Sequence, residues 1–142
     1  MLIKLLESQI NTYKNVIDET IKKSLPECED CIKSALYKEL LLGTAQCWIY
    51  YNKEGNFEGV LITQIRQNIA IGKKTFTLVC MHAPEGTKNE SFIEGWPTLQ
   101  SFGKANGCEI FDFYSSEPEA IKYARLFNIV WETTYFQIDI NQ

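Results

Sequence analysis

The chain has 142 residues, 45% of them hydrophobic, and a formal net charge of −4 at pH 7. That fits one globular domain with an ordinary core. No Lys/Arg run supplies the footprint of a nucleic-acid binder, and no apolar run approaches the roughly 18 residues that span a bilayer.

The N-terminal stretch MLIKLLESQINTYKNVIDET interleaves polar and apolar residues, so it does not read as a signal peptide. The expected location is the reducing cytoplasm, or a particle assembled there. Leu2, Leu5, Leu6, Ile10, Tyr13, Val16, Ile17 and Ile21 recur at three- and four-residue spacing. This predicts a helix with one apolar face, breaking near Asn15 or running on to Lys23. Pro26 favours a fresh start. Cys31 to Leu42 is a second helix, with Ile32, Ala35, Leu36 and Leu40 available for burial and Gly43 as its C-terminal cap.

Thr44 to Tyr51 is rich in strand formers, and Phe57 to Gln67 is its partner across the Asn52–Asn56 turn. A turn at 70–73 leads to a third strand, KTFTLVCM, ending at Met81. A loop from His82 to Glu90 precedes a helix over Ser91 to Ala105, stopped by Asn106-Gly107. Phe92, Ile93, Trp96, Leu99 and Phe102 form its expected buried face, with Pro97 either kinking the helix or marking its first turn. Cys108 to Tyr114 is a strand and Pro118 to Phe127 a helix. Residues 130–140 alternate as one long strand or a hairpin. In the Cys108–Tyr114 strand, Phe111 and Phe113 share one face, and Ile110, Asp112 and Tyr114 share the other.

Five cysteines are present. Cys47, Cys80 and Cys108 read as small core residues. Cys28 and Cys31 form a single C-x-x-C, which is half a zinc site with no second pair. Glu27, Glu29 and Asp30 around them oppose a reactive thiolate. They read as structural thiols, and no metal site is expected.

From Leu78 onward, strand, loop, helix ending in Asn-Gly, strand, helix and strand follow one another at a characteristic spacing. Phe102-Gly103-Lys104-Ala105-Asn106-Gly107-Cys108 and the segment from Glu117 to Ile129, EPEAIKYARLFNI, carry the pattern. The layout resembles the GNAT (Gcn5-related N-acetyltransferase) superfamily over about residues 40 to 140. It is also similar to small GNAT-like proteins of tailed bacteriophages, with Thr44 to Trp48 before the first strand. The implied fold is α/β: a GNAT-like mixed, mainly antiparallel twisted sheet with helices on both faces. One domain spans 1–142, with N-terminal helices to 43, antiparallel strands over 44–81 and a helix–strand–helix–strand half over 82–142.

The resemblance also implies a chemistry, from which the chain departs at three points. Active members hold the CoA pyrophosphate on a glycine-rich loop at a helix N-terminus. The corresponding loop, HAPEGTKNE, has one glycine, with Pro84, Glu85 and Glu90 set against phosphate binding. Met81, Gly86, Thr87 and Lys88 are its candidate CoA contacts. The tyrosine that protonates the departing thiolate maps to Ala124, with Tyr123 one position and about 100° away. The strand KTFTLVCM carries no carboxylate for a base, leaving His82 as the candidate by intrinsic pKa.

These departures give a degenerate acetyl-CoA site and a non-catalytic binding or structural module, such as a phage virion component. No cofactor is then expected. Its partners would be proteins, other phage structural proteins or itself, with no nucleic acid and no membrane. The alternative is a divergent acetyl-CoA-dependent N-acetyltransferase with His82 as base and Tyr123 as acid.

Overall fold

The computed structural model describes residues 1–25, 30–82 and 90–114, and, further on, positions 121, 122, 124–127, 129, 132 and 138–141. Strands β1 (Leu2–Lys4), β2 (Ala45–Tyr51), β3 (Phe57–Asn68), β4 (Lys73–His82) and β5 (Ile110–Phe113) lie side by side in that order. The first three junctions are antiparallel. The β4–β5 junction is parallel, from Thr75↔Ile110 to Leu78↔Phe113. Parallel neighbours need a crossover, and helix α3 (Glu90–Ala105) supplies it. The sheet is therefore mixed and mainly antiparallel, as expected.

The turns follow from local chemistry. Asn52 Oδ1 accepts hydrogen bonds from the Glu54 and Asn56 amides at 2.9 and 3.0 Å, closing the β2–β3 turn. Gly55 completes it at φ 82°, a conformation costly for a residue with a Cβ. Helix α2 (Asp30–Leu42) stops at Gly43, where the Thr44 amide bonds Glu39 O at 3.1 Å and the Gly43 amide bonds Leu40 O at 3.3 Å. Helix α3 ends the same way at Gly107, with Cys108 N on Gly103 O at 2.9 Å. Both are paired-bond glycine caps.

The N-terminal segment departs from its helical periodicity. Leu2–Lys4 is a strand on the edge of β2, Glu7–Gln9 is a single 3-10 turn, and helix α1 is confined to Lys14–Ser24. The reason is tertiary. The edge of β2 offers backbone partners that a local helix would leave to water, and Tyr51 N bonds Met1 O at 2.9 Å while Leu5 N bonds Cys47 O at 2.8 Å.

Strand alternation divides the core in two. Cys47, Ile49, Val60, Ile62 and Cys80 face one way and pack with Ile17 and Ile21 of α1 and Leu36 and Leu40 of α2. Trp48, Tyr50, Leu61 and Phe76 face the other way, toward Leu99 of α3. Helix α3 approaches closely at Gly103, where a Cβ would lie 3.3 Å from Phe76 Cδ1. Pro97 lies in the helix interior rather than its first turn, so one intrahelical hydrogen bond is missing there. Two expectations about buried faces are corrected. Ile93 is exposed, and Ala35 of α2 is exposed as well. Trp96 is half-buried, its ring set edge-on against Phe111 at 5.1 Å. Among the described residues no helix is long and apolar enough to cross a membrane.

Candidate active site

Two features of strand β4 shape the site. Its pairing with β5 stops at Leu78, yet it continues to His82. Beyond Leu78 and Phe113 the two parallel strands have no further register, so the sheet forks. Immediately past that vertex, β4 is bulged against β3: Thr63 pairs with Leu78 and Ile62 with Cys80. Val79 is the extra residue and has no Cα partner on either neighbouring strand.

A bulge inverts the facing of everything after it. Phe76 and Leu78 belong to the α3-side core, whereas Val79 and Cys80 pack on the α1/α2 side. Because the β4–β5 ladder ends at Leu78, the β4 edge from Val79 to His82 is not paired by β5. Such an edge presents amide donors and acceptors at strand spacing.

The residues singled out from the sequence fall at the outer end of this fork or outside the described residues. His82 is the last residue of β4, opposite Val60. It lies within electrostatic reach of Glu19 on α1. That exposed carboxyl is held below its ordinary value mainly by its hydrogen bond and ion pair with Lys23, with a smaller push from His82. Along the strand, His82 is about 10–13 Å from the vertex, at roughly 3.3 Å per residue. Met81 pairs with Leu61, is 36% exposed, and its carbonyl accepts a hydrogen bond from Ser24 Oγ at 2.5 Å. Gly86, Thr87, Lys88 and Tyr123 lie outside the described residues, as does the Cys28 of the C-x-x-C.

A carboxylate does stand next to β4, on its neighbour β5. Asp112 of β5 stands opposite Thr77 in the parallel ladder, one pair before the vertex. Thr77 Oγ1 donates a 2.6 Å hydrogen bond to Asp112 Oδ1, and Thr75 Oγ1 lies 3.5 Å from Thr77 Oγ1. Both threonines are buried, and Asp112 is half-buried. The sequence reading placed Asp112 on the face opposite Phe111 and Phe113 but gave it no role, because the base was sought on β4 alone. A signal for the bulge was present. Thr75, Phe76, Thr77 and Leu78 alternate, then Val79, Cys80 and Met81 run on as three apolar residues, which breaks the period of two.

By sequence the chain matches no family model and no curated protein. By structure it is similar to an aminoglycoside acetyltransferase from an uncultured soil metagenomic sample, with a TM-score of 0.71 at 11% identity over 99% of this chain and 97% of that one. It is also similar to the aminoglycoside acetyltransferase AAC(6')-Iy bound to a CoA bisubstrate analogue, with a TM-score of 0.68 at 14% identity over 98% and 97% of the two chains. A third likeness is to a ribosomal-protein-alanine N-acetyltransferase from Brucella melitensis, with a TM-score of 0.61 at 10% identity over 97% and 99%. This is the GNAT acetyltransferase fold. In this chain β4 and β5 are the parallel pair, β5 is the outermost of the described strands, and α3 is the crossover between the two.

Proposed function

We propose that this GNAT-fold chain is an acetyl-CoA-dependent N-acyltransferase working at the β4–β5 fork. The observation that carries the reading is the coincidence of fork and bulge at Leu78–Val79. The acetyltransferase names of its structural neighbours support the same reading.

The residues present suit the cosubstrate. A pantetheine arm contains amide groups, and the Val79–His82 edge offers backbone amides to match. Its diphosphate end suits the N-terminus of α3, where unsatisfied amides and the helix dipole favour an anion. When bound, acetyl-CoA supplies an acyl group activated as a thioester. The chain's own contribution is positional. The extra residue Val79 has no Cα partner on β3 or β5, and the amide of a bulge residue is suited to a carbonyl oxygen that gains charge. Leu78 and Phe113 close the inner end of the fork and keep it apolar. His82, at the outer end, is suited to the diphosphate side in this reading.

A second reading keeps the fold without turnover, as a binding or structural module. Its specific support is in the sequence: the segment leading into α3 has one glycine and carries Pro84, Glu85 and Glu90, a composition set against phosphate binding. One experiment separates the two. Purified protein is titrated calorimetrically with CoA and acetyl-CoA, then incubated with acetyl-CoA and a panel of primary amines while free thiol is followed. Binding with amine-dependent thiol release is expected. Binding without release would favour the module, and neither would refute the proposal.

A further inference from the structure

We infer that the outer edge of β3 over residues 65–68 is a docking site for an extended, acidic segment of a partner protein, which joins the sheet as an added strand. The site lies at the end of β4 opposite the fork and is independent of the chemistry proposed above. Strands β3 and β4 pair from Val60↔His82 to Asn68↔Lys73. On its other side β3 is paired by β2 only as far as Gln64, opposite Ala45. The chain reaches Ala45 from α2 through the Gly43 cap, where the Thr44 amide bonds Glu39 O at 3.1 Å. Strand β2 therefore has no residues with which to cover the rest of β3. Among the described residues no strand lies beside 65–68 on that side.

The direction of the unpaired groups follows from the ladder. Leu5 N bonds Cys47 O, so Cys47 points its backbone polar groups at β1. Its neighbours Gln46 and Trp48 then point at β3, and their partners Thr63 and Leu61 point back at β2. Continuing by twos, Ile65 and Gln67 present N–H and C=O outward. Arg66 points its own toward β4, where its carbonyl also accepts from Thr75 Oγ1 at 3.3 Å. The edge thus offers two donors and two acceptors at strand spacing, the pattern that an added strand requires.

The side chains around the edge set the chemistry of the occupant. Arg66, Lys73 and Lys74 are exposed, and among the described residues none of them is in an ion pair. No acid occurs over 65–75, in a chain with 18 acidic and 14 basic residues. Glu109, whose amide bonds Lys74 O at 3.0 Å, leaves the arm positive. Gln64 bonds Glu39 of α2 at 2.8 Å, so Gln64, Arg66 and Asn68 face the α1/α2 side, and Lys73 joins them opposite Asn68. Cations also guard edges against aggregation. A merely guarded edge would not keep Ile69 91% exposed at its tip and Leu42 67% exposed at the end of α2. A strand alternating acidic and apolar residues matches both features. A second copy of this chain does not, because pairing this edge with itself sets Arg66 near Arg66. A nucleic acid finds no aromatic side chain over 65–75, and a net charge of −4 on the whole chain.

The test uses the full chain and a short peptide of alternating valine and glutamate. The peptide is expected to bind saturably, to move the Ile65 and Gln67 amide resonances and to slow their hydrogen exchange. Its valine–lysine counterpart should bind at least tenfold more weakly. The Gln67→Pro variant removes an outward N–H and leaves the β3–β4 ladder intact, so it should fold and lose at least fivefold in affinity. Arg66→Glu combined with Lys73→Glu should reverse the preference in favour of the lysine peptide. Equal affinity for the two peptides would overturn the inference, as would resonance changes confined to the β1 edge or Gln67→Pro binding like wild type. Self-association that Gln67→Pro abolishes would assign the edge to a second copy, and displacement of the peptide by duplex DNA would assign it to nucleic acid; either overturns the inference. If Gln67→Pro does not fold, the double charge reversal decides: an unreversed preference overturns it.

Discussion

Deleting Val79 removes the bulge while leaving every other strand register unchanged. On one side Leu78 remains opposite Thr63, and on the other Cys80 remains opposite Ile62. The two pairs simply become consecutive. The β4–β5 ladder ends at Leu78 and is untouched. The energetic consequence is small by construction. Val79 is only partly buried against the α1/α2-side core. Full burial of a valine is worth about 1.5–3 kcal/mol, so about 1 kcal/mol is lost. A regularised ladder returns about 0.5–1.5 kcal/mol per hydrogen bond. The deletion variant should therefore stay within about 2 kcal/mol of wild type in urea unfolding and keep its far-UV spectrum. Function should not survive so well, because removal of one preorganised donor at a reacting carbonyl costs about 10²–10³ in kcat. Thiol release under saturating acetyl-CoA gives the comparison. A folded deletion variant with turnover within threefold of wild type would refute the role assigned to the fork and bulge.

The other predictions concern packing and titration. Trp96→Ala should lose about 2–3 kcal/mol, below the ~3–5 kcal/mol of a fully buried tryptophan, because Trp96 is half-buried between Phe111 and Phe127 at 5.1 and 5.2 Å; a loss under ~1 kcal/mol in urea unfolding would contradict that packing. Gly43→Ala should cost about 1–2 kcal/mol, since φ is +78° and a Cβ would meet Glu7 Oε1 at 2.7 Å; an unchanged unfolding midpoint would contradict it. Burial pushes the Cys47 thiol from its ordinary value near 9 up to about 12. Native protein at pH 8 should therefore leave Cys47 unalkylated by iodoacetamide in peptide mapping, while urea-unfolded protein is modified. The linkage has a definite sign: the folded pKa is the higher one, so this contribution to stability is full below pH ~9 and is lost as pH rises toward 12. Comparing Cys47→Ala with wild type at pH 8 and 10.5 should show wild type losing more stability over that interval.

What could be read from the sequence was what local chemistry decides. Asn52 and Gly55 specify their turn by side-chain acceptance and positive φ, and Gly43 and Gly107 specify helix ends, so these boundaries fell within a residue or two of their observed places. The parallel β4–β5 pair followed from a strand–helix–strand order that allows no tight antiparallel return. Leu2–Lys4 was misread because its spacing with Leu5 and Ile10 suits a helix, while the choice of strand depends on an edge of β2 more than 40 residues away. Asp112 was passed over for a related reason. Its proximity to Thr77 is a property of the β4–β5 register, which is set by a crossover of about 30 residues and not by local sequence. His82 drew attention by its intrinsic pKa, yet position along β4 matters more, and it lies at the far end of the fork.

The aromatic series along the α3 side has a practical consequence. Trp48 is buried, donates its indole N–H to Thr63 Oγ1 at 2.8 Å, and stacks edge-on with Phe102 at 5.1 Å. Its surroundings are fixed by core packing, so its emission should be blue-shifted and steady. Trp96 instead leans on Phe111, whose strand neighbour Phe113 ends the ladder at the vertex. Anything that wedges β5 away from β4 will tilt Phe111 and change the environment of that indole. The protein thus contains its own optical gauge of the fork, readable without a label. In a background with Trp48→Phe and Trp131→Phe the change in Trp96 emission on adding CoA would report strand separation, and a Trp96→Phe companion would assign the signal.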